Sequence, residues 1–167
     1  MLAFVDTNLL ICWRDAGQPR KQPLAAAWLE HLWETRTGRL STQVLSEYYT
    51  NVCHKLRAPL APSAAWADVT TFLAWNPCPI DGAVLARARE VQSCWQLNWW
   101  DCLIVAAAQI EDCALLLTED LQDGMKLGSV TVRDPFRLSV EDAAALPDPV
   151  SAAPRRLRPG RRGALDR

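Results

Sequence analysis

The sequence is short of the residues that build zinc centres. It has two histidines, and its six cysteines form no Cys-x-x-Cys pair. That spacing argues against a zinc site. His31 falls on the polar side of a helical pattern with no acidic or cysteine partner at ligand spacing, and His54 reads as structural or exposed. Cys12, Cys53, Cys78, Cys94, Cys102 and Cys113 sit among apolar neighbours and are expected to be reduced core thiols. No apolar run is long enough to span a bilayer, and the N-terminus lacks a basic flank followed by a secretory core. The expectation is a cytoplasmic protein with no membrane association. Charge of one sign is also missing, since the net value is −1 over 167 residues, half of them hydrophobic. That length suits one globular domain with a sizeable core.

What is present begins with Leu2-Ala3-Phe4-Val5, an apolar run suited to a strand buried on both faces. It stops at Asp6, and Leu9 to Trp13 continues as an apolar helix start. Asp6 is therefore placed at the carboxyl end of a central strand, where open α/β sheets put their ligands. Taken alone, it reads equally well as a helix N-cap. Residues 24–34 show helical spacing, with Leu24, Ala25, Trp28, Leu29, Leu32 and Trp33 as the apolar face and Gly38 as the stop. Residues 39–42 suit a short strand. Residues 43–56 read as a helix with Val44, Leu45, Tyr48, Val52 and Leu56 inward, and Glu47 lies beside that stripe rather than opposite it.

Ser63 is a plausible cap for a helix over 64–75, and Asp81 for one over 83–95 with Ala83, Leu85, Ala86, Ala88 and Val91 buried. After Asp101 come seven apolar residues, small ones last, which fits a buried helix packed close on a sheet. Asp101 falls in its first turn, where the helix dipole favours a carboxylate. A charge between two tryptophans and a buried helix is costly unless paired or bound to a cation. Trp99 and Trp100 could stack on a base, with core packing the simpler job for at least one. Residues 113–117 form a second buried strand, and the acidic turn from Thr118 to Gly124 follows at its carboxyl end. In a parallel sheet that turn shares a rim with Asp6. A last strand covers 130–132, and Asp134-Pro135-Phe136 closes the compact part.

Four blocks together carry a resemblance. Asp6 in V-D-T-N, Glu47 in L-S-E-Y-Y, Asp101 in W-D-C-L-I-V-A-A-A and Asp120 in L-L-T-E-D-L-Q-D-G resemble the four acidic blocks of the PIN domain, and among its members the VapC-like toxins of bacterial type II toxin–antitoxin pairs. The resemblance spans roughly residues 1–136. It implies an α/β fold, a three-layer α/β/α sandwich around a central, mostly parallel sheet. It also implies a nuclease acting on single-stranded or structured RNA, a homodimer, and a cognate antitoxin over the cleft. Many such toxins carry an acid two residues after the fourth-block aspartate. Here Gln122 stands there and the next acid is Asp123, which enters as a fifth candidate.

The chemistry can be argued without the family. Carboxylates gathered in one cleft repel each other and take up protons unless a cation neutralises them. Oxygen ligands without histidine or thiolate select Mg²⁺, with Mn²⁺ as a substitute, over zinc. Asp6 and Asp101 are expected as principal ligands, with Glu47 and Asp120 completing the site and Thr7, Asn8 and Thr118 orienting them. Other classes remain in view. A haloacid-dehalogenase-like phosphotransfer enzyme wants a second aspartate two residues after Asp6, where Asn8 stands. A PIN nuclease that processes RNA without an antitoxin, or a binding module retaining unused acids, are the alternatives within the fold.

Residues 137–167 read as an extension, disordered from about 148. From Ser151 to Arg167 it carries six arginines against one acid, a local charge of +5 that leaves −6 on the remainder. Such a tail either gathers RNA phosphate beside an acidic cleft or serves only as a solubilising extension.

Overall fold

The computed structural model describes residues 1–144; the expectations for the arginine-rich tail lie outside them. A five-stranded sheet runs in the order β2-β1-β3-β5-β4, made of β1 (Ala3–Val5), β2 (Gly38–Arg39), β3 (Leu115–Leu117), β4 (Lys126–Leu127) and β5 (Val130–Arg133). The pairs β1–β2, β1–β3 and β3–β5 are parallel, and β4 alone is antiparallel. Helices complete a three-layer α/β/α sandwich: α1 (Thr7–Arg14), α2 (Gln22–Thr35), α3 (Thr42–His54), α4 (Pro62–Phe72), α5 (Gly82–Trp95), α6 (Trp99–Ile110) and α7 (Val140–Ala144). No helix among the described residues is long and apolar enough to cross a membrane.

Each residue of β1 and β3 is buried, which is why these strands read as unbroken apolar runs. Cys102 to Ala108 is buried throughout, and α6 packs on β3 and β5 with α5 beside it. Their small side chains let the helix approach the sheet closely. Register fixes the functional end of the molecule. Val5 pairs with Leu117 and Leu117 with Arg133, so Asp6 and Thr118 are the residues just beyond adjacent strand ends.

Several local details differ from the sequence reading. Arg36, at φ 57°, ends α2 in the left-handed region, while Gly38 belongs to β2. A Cβ at Gly38 would lie 2.4 Å from the Trp75 ring, so the glycine is there for close approach. Ala61 is the N-cap of α4 and Pro62 takes its first turn, with Ser63 inside; proline's fixed φ suits that position. The last turn of the expected helix is a separate 3₁₀ turn, Leu73–Trp75. On α5 the inward face is Val84, Ala88 and Val91, leaving Leu85 exposed. Leu24 and Trp33 of α2 are likewise exposed, as is Cys94; Cys12, Cys78, Cys102 and Cys113 are buried thiols. The chain continues to pack beyond residue 136. Trp28 donates through its indole N–H to the carbonyls of Pro135 and Leu138, and Leu138 and Val140 rest on the core.

Candidate active site

Four short segments deliver carboxylates to the rim at the carboxyl ends of β1 and β3. Asp6 is both cap and site residue, as one side chain can be. Its Oδ1 accepts from the Thr7 amide at 2.6 Å, and its Oδ2 accepts from the Thr118 hydroxyl at 2.6 Å. Asn8 reaches across with its Nδ2, 3.3 Å from Asp6 Oδ2, 2.9 Å from Thr118 Oγ1 and 3.2 Å from Asp120 Oδ2. Thr118 also accepts from the Asp120 amide at 3.1 Å, which fixes the turn that carries Asp120. Thr7 donates its hydroxyl to Glu47 Oε2 at 3.0 Å, joining the first turn of α1 to the middle of α3. Thr7, Asn8 and Thr118 thus touch three of the four carboxylates.

Two residues not anticipated from sequence complete the frame. Gln43, one turn before Glu47, donates its Nε2 to Glu47 Oε1 at 2.9 Å and to the Trp100 carbonyl at 3.4 Å. Asn98 caps α6 by accepting from the Asp101 amide at 3.0 Å and donates to Asp101 Oδ2. The signals were present: an i, i+4 amide–carboxylate pair for Gln43, and an Asn three residues before an acid for Asn98.

The electrostatics follow from burial without a counter-charge. Desolvation, with the fields of Asp120 and Glu47 adding to it, raises the Asp6 carboxyl from its ordinary 3.8 to about 6 against hydrogen bonds from Thr118 and Thr7. Asp101 is raised as well, by burial first and then by Asp120 and Glu47, with the Asn98 hydrogen bond opposing. The neighbouring acids are treated differently. Glu119 pairs with Lys21, and Asp123 accepts from Arg133 at 3.4 Å and from the Asp134 amide at 3.0 Å. Asp123 therefore braces the turn against β5 and stands apart from the Asp6–Asn8–Asp120 network. Among the described residues, none of Asp6, Glu47, Asp101 and Asp120 enters an ion pair.

A family model for the PIN domain matches residues 3–122. The chain belongs to the PIN domain family. PIN domains are generally nucleases that use divalent metal ions, which agrees with an all-oxygen donor set. Two solved structures are similar in fold to this PIN domain. One is a toxin–antitoxin complex from Klebsiella pneumoniae, at 18% identity and TM-score 0.52, covering 80% of this chain and 97% of that one. The other is FitAcB from Neisseria gonorrhoeae, at 21% identity and TM-score 0.57, covering 82% and 100%. No curated protein sequence matches the chain.

The donor set suits a hard cation by its chemistry, while the acids are spaced by neutral amides. Each carboxylate is met by a neutral side-chain amide: Asn8 for Asp6 and Asp120, Gln43 for Glu47, and Asn98 for Asp101. Among the described residues, the buried amide oxygens of Asn8 and Gln43 find no hydrogen-bond partner, a costly arrangement. Among the described residues no three of His, Cys, Asp and Glu are close enough to hold a metal ion in this arrangement. Asn8 bridges Asp6 and Asp120.

Proposed function

We propose that this PIN domain is a Mg²⁺-dependent endoribonuclease, the toxin of a type II toxin–antitoxin pair. The observation that supports the reading is selective pairing. Among the described residues of this chain, Glu119 and Asp123 of the turn 118–123 have cationic partners, while Asp120 and the three acids grouped with it have none. Within those residues lysine and arginine go to the flanking acids and not to these four, which leaves the four able to meet an external cation.

Asp6 and Asp101 are the principal ligands in this reading, and Glu47 and Asp120 complete the set; Mn²⁺ can substitute. Bound there, the ion lowers the pKa of a water and offsets charge on the departing oxygen of a phosphodiester. Thr118 and Thr7 hold Asp6 in one rotamer through both of its oxygens, and Thr7 and Gln43 do the same for Glu47. Such fixed ligands lose little entropy on binding. Asn98 sets the direction of Asp101 from the helix cap.

One of the similar structures is a toxin–antitoxin complex, and the match covers 97% of that chain, which supports an antitoxin partner over the acidic rim as part of the proposal; a homodimeric toxin is proposed with it on the family resemblance. The test is cleavage of a single-stranded RNA by purified protein with Mg²⁺, with EDTA and as Asp6→Asn. Cutting with Mg²⁺ alone is expected. Equal cutting in all three conditions discards the proposal. A short open reading frame beside the gene whose product suppresses that cutting separates a toxin from an RNA-processing nuclease.

A further inference from the structure

Trp99 and Trp100 are adjacent in sequence and opposite in environment. Trp99 packs on the core, whereas Trp100 is 63% exposed, more than any other large hydrophobic residue described. An indole left in water forgoes a large burial gain, and this one stands beside the acidic rim. Trp100 precedes Asp101 in the first turn of α6, and beside it a groove of about 930 Å³ opens between α3 and α6. Glu47 and Asp101 form part of its lining, which makes the groove continuous with the acidic rim. The volume is in the range of small-ligand sites.

The mounting of Trp100 is rigid. Its carbonyl accepts from Gln43, and the same Gln43 amide donates to Glu47. Asn98 caps the turn on the other side. Backbone position at Trp100 is thereby tied to the position of one carboxylate by a single buried side chain. The groove lining contains Thr42, Ser46 and Asn98 as polar groups and no lysine or arginine. Among the described residues of this lining, charge cannot hold a nucleic-acid strand beside two acids. An uncharged π-face can.

We propose that Trp100 is the platform on which one base of a single-stranded RNA stacks, the base flanking the cleaved phosphodiester, with the α3–α6 groove receiving that nucleotide. The inference rests on the ribonuclease reading above and adds a substrate-binding residue to it. Stacking tolerates any base, so Trp100 supplies affinity and registration of the strand more than sequence choice. Gln43 acts here as a positioning residue, through the Trp100 carbonyl.

The experiment uses a labelled single-stranded oligoribonucleotide whose cut site is first mapped with the wild-type protein and Mg²⁺. A second oligonucleotide lacks the base flanking that cut. Wild type is expected to show a KM about five- to a hundredfold higher on the abasic strand. Trp100→Ala is expected to show that rise already on the intact strand and no further rise on the abasic one, with kcat falling less than KM rises. Trp100→Phe, which keeps an aromatic face, should stay close to wild type and guards against a folding artefact. Unchanged KM in Trp100→Ala, or an abasic penalty that persists in it, overturns the proposal while leaving the nuclease intact. Conversion of a dimer to a monomer by Trp100→Ala, seen in sedimentation with KM per site unchanged, also overturns it and assigns the groove to a second copy. Absence of any RNA cleavage by wild type removes the ribonuclease reading and this inference together.

Discussion

Two acidic centres in this protein, one buried and one on a partly exposed rim, are built in opposite ways. In the first, Asp68 of α4 is 6% exposed and accepts from Arg14 Nε at 2.8 Å, from the second guanidinium nitrogen, and from the Tyr48 hydroxyl at 2.6 Å. Arg14 also lies 4.2 Å over the Trp13 ring. This knot ties α1, α3 and α4 together, and it carries its own cation. In the second, the rim around Asp6, four carboxylates are held by hydroxyls and amides, and among the described residues no guanidinium or ammonium pairs with them. Burial raises Asp6 to about 6 there, whereas in the knot burial and the Asp68 hydrogen bond push the Tyr48 phenol up. The difference separates an acid paired with its own cation from acids that have none among the described residues, which the proposed Mg²⁺ would neutralise.

Substitution should expose that difference as opposite signs of stability change. Asp68→Ala leaves the buried Tyr48 hydroxyl without its partner and a half-exposed Arg14 unpaired. It should cost about 2–4 kcal/mol in denaturant unfolding. Asp6→Asn should do the reverse in metal-free protein. The folded carboxyl titrates near 6 and the unfolded one near 3.8. The protonated form therefore stabilises the fold fully below about pH 4, and that contribution is lost as pH rises through about 6. Above pH 7, Asp6→Asn should be more stable than wild type by up to about 3 kcal/mol. The gap should close on acidification toward pH 4, as read by thermal melts across that range.

Much of this rim was legible in the sequence, for identifiable reasons. Asp6 and Thr118 each end an apolar strand, and parallel strands direct their carboxyl ends the same way. Asp101 was marked by the cost of a charge at the head of a buried helix, and Glu47 by its place beside an apolar stripe. Gln43 and Asn98 were passed over because their signals, an amide one turn before Glu47 and an Asn three residues before Asp101, are too common to mark a site until the pairing is seen. Gly38 was misread as a helix stop because its reason is the Trp75 ring, delivered from 37 residues further along. The inward face of α5 and the two-residue strand β4 depend on neighbours in the same way. Asp123 shows the limit of reading acids by position: Arg133, ten residues away, decides its role.

Smaller changes refine the contrast. Thr118→Val removes the hydroxyl that serves Asp6, Asn8 and the Asp120 amide. Ligand-orienting partners of this kind are worth about ten- to a hundredfold in metal affinity or activity, so cleavage should fall by that factor in single-turnover assays. Asn98→Ala should cost about 1 kcal/mol of stability by loss of the α6 cap, measurable as a shifted denaturant midpoint. It should also weaken cleavage, since Asp101 loses the side chain that sets its direction.

The rim has no cationic partner among the described residues, and the proposal is that Mg²⁺ provides one. Its most direct test is a thermal melt of wild type and Asp6→Asn at pH 7.5 under Mg²⁺ titration after EDTA treatment. The account predicts a wild-type melting temperature that starts below that of Asp6→Asn and climbs with Mg²⁺, while the variant stays flat. A wild type indifferent to Mg²⁺, already as stable as Asp6→Asn without it, would contradict the account.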